Sequence, residues 1–140
     1  MTNLFLRDAV TRAQQFLNLA KKCSASERDQ YEMFLEAAIV FGRSALHRLQ
    51  SQARDDPNWK EWWDNLRKDE AVEFFRTERD YLLKEGPARV HQVIRVGKTM
   101  ERASECYYFE KPETPATETV GRHLERIRAI VVEGRELFSI

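Results

Sequence analysis

Apolar side chains recur along this chain at the three- and four-residue spacing of a buried helix face, interrupted by proline, glycine and acidic pairs. Leu6, Val10, Ala13, Leu17 and Ala20 predict a first helix over residues 4–22. Ser24-Ala25-Ser26-Glu27 has the form of a capping box, in which the serine hydroxyl and the glutamate each satisfy a backbone N–H at a helix start. A long second helix follows, with Phe34, Leu35, Ala38, Phe41, Ala45, Leu46 and Leu49 on its buried face, fading near Ala53. Asp56 is then a cap, and Pro57 suits a first helical position because its missing N–H would be unpaired there. The short helix from about Asn58 carries Trp59, Trp62, Trp63 and Leu66. Asp69 caps the next, which places Val72, Phe75, Arg79 and Leu82 on one face. Glu85-Gly86-Pro87 closes it, with Gly86 expected in the left-handed conformation.

Residues 88–110 change character: Val90, Val93, Ile94 and Val96, then Cys106, Tyr107, Tyr108 and Phe109, form β-branched and aromatic runs around Gly97. They predict a small hairpin, with residues 100–103 open to helix. Residues 111–116 read as a linker, with Thr114 as cap and Pro115 in the first turn of a last helix to about residue 138. Val120, Leu124, Ile127, Val131 and Phe138 face inward on it. The expected fold is mainly α: one helical domain over residues 1–140, a bundle of four to five helices with a small β-hairpin before the C-terminal helix.

Charge narrows the function. The 23 Lys and Arg balance the 23 Asp and Glu. The balance is also local, 14 basic against 15 acidic groups in residues 1–86 and 9 against 8 in residues 87–140. Binding to nucleic acid by bulk charge is thereby excluded, while binding through a small local patch is not. The longest unbroken apolar run, residues 37–41, is far below the ~20 residues of a membrane helix. With Cys23 and Cys106 lacking metal-ligand spacing, these features lead us to expect a cytoplasmic protein with reduced thiols and no membrane contact.

Common enzyme signatures are absent. There is no Gly-rich phosphate loop, and Gly42-Arg43-Ser44-Ala45 lies in mid-helix rather than at a nucleophile elbow. His47, His91 and His123 have no metal-forming companions in sequence, so neither metal nor cofactor is expected. His47 follows Arg43 by one helical turn, and the two can together hold a phosphate; solvated helix surface is the plainer expectation. The tryptophans can stack on bases, and core packing is again the plainer expectation. Arg79 shares a face with Val72 and Phe75, and Glu78 and Asp80 are too close in sequence to share that face, so its acceptor is expected from elsewhere.

The segment from Asp69-Glu70 through Phe74-Phe75 and Arg79-Asp80 to Lys84 and Gly86 resembles the motif of HEPN domains. These are small helical modules marked by an arginine, a polar companion such as asparagine, and a histidine four to six residues on. The resemblance is strongest over residues 69–86. It implies that Arg79 faces phosphate, a task for its planar five-donor fork, with Asp80 as polar companion and Lys84 where the histidine would stand. Asp80 brings a negative charge in place of asparagine, and an ordinary lysine, with a pKa of about 10.4, is a poor base at neutral pH. Arg79, Asp80 and Lys84 are therefore the candidate ligand-binding residues of a catalytically eroded protein. Its implied partners are a second copy of itself in a homodimer, RNA, a nucleotide or a protein, in a toxin–antitoxin or defence setting. Two alternatives stand beside it. One is a metal-independent endoribonuclease using Arg79 with Lys84 or with His91 folded back past Gly86-Pro87. The other is a structural helical domain in which Arg79 is only an ion pair.

Overall fold

The structure, a computed structural model, describes residues 8–93, 96, 97 and 99–140. Leu6 and Ile94, expected on a buried helix face and in a β run, lie outside the described residues. The elements are α1 (Ala9–Lys22), α2 (Arg28–Ala53), α3 (Trp59–Leu66), α4 (Glu70–Lys84), β1 (His91–Gln92), a 3-10 turn (Ala103–Glu105), β2 (Tyr107–Tyr108) and α5 (Ala116–Phe138). The fold is mainly α, as the periodicity predicts, with the small hairpin ahead of the last helix.

The 26-residue α2 is the axis of the molecule: α1, α4 and α5 all pack against it. Its stripe is buried as expected at Leu35, Ala38, Ala45, Leu46 and Leu49, joined by Tyr31 and Ile39. Val10, Leu17, Val72, Phe75, Val120, Leu124, Ile127 and Ile130 complete the core. Phe34 and Phe41 are only partly buried and sandwich Phe16 of α1, with ring centroids 6.3 and 5.6 Å from it. Trp59 packs on Leu49, Ala53 and Phe138, bolting α3 across the ends of α2 and α5. Trp62, which donates from Nε1 to Glu133 (3.3 Å), and Trp63 are partly buried and pack against the same cluster.

Helix boundaries follow the local chemistry with four corrections. Asp56 does not cap α3: its side chain accepts from the Asn58 N–H (2.9 Å), the cap is Asn58, and Pro57 lies in the turn ahead of the helix. Glu27 accepts from the Ser24 N–H (2.8 Å), but the Ser24 hydroxyl pairs with that of Ser26 (2.9 Å), leaving the box half formed. Ser24 is held instead by an antiparallel bridge to Arg102 across the fold. Gly86 does not take a positive φ; its N–H and that of Glu85 both reach the Tyr81 carbonyl, which closes α4 in ordinary geometry. Thr114 does not cap α5, whose cap is Pro115, the Pro115 carbonyl accepting from Glu118 and Thr119. The hairpin is minimal: His91 pairs with Tyr108 and Gln92 with Tyr107, antiparallel, and the Val93 N–H reaches the Cys106 carbonyl at 2.6 Å. The helical turn near residues 100–103 forms slightly later, at Ala103–Glu105.

Asp69 serves both local and tertiary structure. One oxygen caps α4 at the Ala71 N–H (2.9 Å) and the other receives Nε of Arg126 on α5 (2.9 Å). Burial pushes its carboxyl up, but the bonds from Arg126 and from the helix N–H groups outweigh this and hold it below the ordinary carboxylate range. Asp69→Ala is expected to cost about 1–2 kcal/mol by denaturant titration, most of it from the cap because the ion pair is partly exposed. A group whose pKa is lowered by folding contributes above its unfolded value, so the difference from wild type shrinks as pH falls below about 4.

Candidate functional site

The face of α4 bearing Arg79 is set by one close contact. Gly42 of α2 lies against the Phe75 ring, and a Cβ at Gly42 would overlap that ring. With glycine there, α2 and α4 approach through the Phe75 side chain, which is completely buried. Arg43 is the next residue on α2, and Arg79 is one helical turn beyond Phe75. Packing thus brings two arginines from different helices into one electrostatic neighbourhood.

Arg43 is half-buried, and its Nε and Nη1 are out of reach of water with no hydrogen-bond partner among the described residues. Burial, then the charge of Arg79 and further that of Arg76, push its guanidinium below the ordinary range; only Asp80 opposes them. The solvated surface expected from sequence therefore does not describe Arg43. His47, one turn along α2 and largely exposed, belongs to the same group. Burial, then Arg43 and Arg79, lower its pKa, with Asp80 acting the other way. Arg79 donates from Nη1 to Asp80 Oδ1 at 3.0 Å, both side chains about one-third exposed (33% and 39%). This corrects the expectation of a distant acceptor: the long arginine side chain bends back to its sequence neighbour. Arg76, further out, reaches Glu73 at 3.5 Å.

The remaining candidates lie apart. Lys84 is exposed in the last turn of α4. His91 is exposed on β1, its ring 5.3 Å from that of Tyr108, and among the described residues no hydrogen bond, ion pair or ring contact joins it to Arg79. The segment between them is fastened elsewhere. Arg89 pairs with Glu78 (3.0 Å) and covers the Tyr81 ring, while the Ala88 N–H reaches Glu36 of α2 (3.1 Å). His123 is buried against Phe74, with ring centroids 4.5 Å apart. Among the described residues no group of three or more histidine, cysteine or carboxylate side chains converges as a metal site. No described helix is long and apolar enough to cross a membrane.

Chemically, the α2–α4 seam is an under-compensated cationic cluster: among the described residues Arg43, Arg79 and the titratable His47 face one close carboxylate, Asp80. Such a group attracts an anion. The i,i+4 spacing of Arg43 and His47 is visible in sequence, but nothing local tells that Arg79 lies beside them. Compared with known proteins, the chain matches no family model, no curated protein and no solved structure.

Proposed function

We propose that this chain is a catalytically eroded, HEPN-like helical protein that works by binding, through the helix bearing Arg79, an RNA or a nucleotide. The observation that supports this reading is the half-buried Arg43 guanidinium, without acceptors at Nε and Nη1, beside Arg79. A charge held this way is costly without a counter-ion, and a phosphate supplies one. The resemblance adds a homodimer assembled along α4 and a toxin–antitoxin or defence setting, in which the partner is a protein. A chain that stays monomeric at tens of micromolar would exclude the dimer.

A second reading, a metal-independent endoribonuclease, gains from one feature. The lowered pKa of His47 keeps its imidazole neutral, and hence able to accept a proton, at neutral pH. In that case α2 supplies the histidine in place of Lys84 or His91. Incubation of a mixed-sequence single-stranded RNA in EDTA separates the two. The binding reading expects RNA or nucleotide binding without cleavage, lost in Arg79→Ala while the helical circular dichroism persists. Cleavage that vanishes in both Arg79→Ala and His47→Ala would replace it with the nuclease. Unfolding of Arg79→Ala would instead favour a structural bridge.

A further inference from the structure

Two positions in α2, not part of the motif on α4, carry the charge that the cluster leaves unbalanced. Arg79 has Asp80 at 3.0 Å, and Arg76 has Glu73 at 3.5 Å. Arg43 has no acceptor among the described residues for two of its nitrogens, and it is held at the seam because Gly42 lets the Phe75 ring pass. Its Nε and Nη1 are closed off from outside, so an anion meets the half-buried guanidinium at Nη2, where the charge of the whole group is felt. His47, one turn away, provides a second positive charge when it takes up a proton. The charged groups acting on His47 are Arg43 on its own helix and Arg79 and Asp80 on α4. Arg43 with Asp80 neutralised by Arg79 gives one positive charge in the free protein, and a proton taken up by His47 as the anion binds brings the sum to two. A phosphodiester carries one negative charge, whereas a phosphate monoester carries close to two at about pH 7.

We propose that Arg43 and His47, with Arg79 behind them, form a subsite for a terminal phosphate monoester, that of a mononucleotide or of a phosphorylated RNA end, in preference to the phosphodiester backbone. The proposal rests on the anion-binding reading above and names its ligand class. Binding draws a proton onto His47, because a dianion nearby favours the imidazolium that the arginines disfavour.

The test compares adenosine 5′-monophosphate with adenosine, and one short RNA carrying a 5′-phosphate with the same RNA carrying a 5′-hydroxyl, by titration calorimetry. The phosphorylated member of each pair is expected to bind about tenfold or more tightly, the scale of a lost charge-assisted hydrogen bond. Arg43→Gln abolishes that ratio. In NMR titrations the midpoint of His47 rises on adding adenosine 5′-monophosphate. A preference for the phosphorylated RNA without one for the mononucleotide assigns the site to RNA ends, and the reverse pattern assigns it to nucleotides; both support the subsite. Equal binding of the two RNAs, lost in Arg79→Ala, overturns the subsite and leaves RNA binding through α4 standing. Binding of none of the four probes by wild type overturns both. If Arg43→Gln does not fold, the wild-type ratios and the His47 shift still decide.

Discussion

Denaturant titration of Phe75→Ala is expected to show a loss of about 3–5 kcal/mol, the cost of removing a fully buried aromatic ring from a packed core. Against a total stability of about 5–15 kcal/mol for a domain of this kind, the fold becomes marginal. The informative partner is Gly42→Ala. At an unhindered helix position alanine is favoured over glycine by about 1 kcal/mol, but here its Cβ would overlap the Phe75 ring, and overpacking costs about 1–3 kcal/mol. Gly42→Ala should therefore fail to stabilise wild type and should stabilise the Phe75→Ala background, where the ring is gone. That reversal of sign is a coupling between residues on two helices. Gly42→Ala raising stability equally in both backgrounds would show that α2 and α4 do not meet through this contact.

Arg43→Met is expected to act in the opposite direction and to raise stability by about 1–2 kcal/mol. Methionine keeps the length of the apolar stem and removes a guanidinium whose Nε and Nη1 are buried without acceptors beside two other arginines. The gain is set below that of a fully buried charge because Arg43 is half-exposed. The same variant should lose phosphate binding, so that stability and binding move apart, the behaviour of a group retained for function at the expense of the fold. Thermal melting with and without adenosine 5′-monophosphate reads both quantities. A destabilised Arg43→Met would mean that the guanidinium supports the native packing and is not held in reserve for a ligand.

The arginine-bearing segment on α4 and the cluster it joins were differently visible in the residues. Arg79, Asp80 and Lys84 were picked out together on the strength of a resemblance, and the structure gives them separate circumstances. Arg79 is tied to Asp80, and Lys84 lies exposed at the helix end. His91, the other candidate partner for Arg79, is engaged with Tyr108 in the hairpin. The histidine that shares the field of Arg79 is His47, which sequence spacing links only to Arg43. The caps divide along the same line. Asp69 caps where its position predicts, while the Ser24 hydroxyl is drawn to Ser26 and the chain around it is bridged to Arg102.

What the sequence determined alone is what depends on neighbours a few residues apart. Among the described residues the helices, most of their buried stripes, the stops at Asp56-Pro57 and Gly86-Pro87, and the hairpin before α5 follow from periodicity and local backbone preference, and they stand in the structure. The tertiary structure alone decided which charged faces meet. In sequence Gly42 is only part of a mid-helix Gly42-Arg43-Ser44-Ala45, yet its missing side chain lets Phe75 sit against α2 and so places Arg79 by Arg43 and His47. Charge interactions between helices depend on distances that local periodicity does not encode, so the cluster exists only once the core has packed.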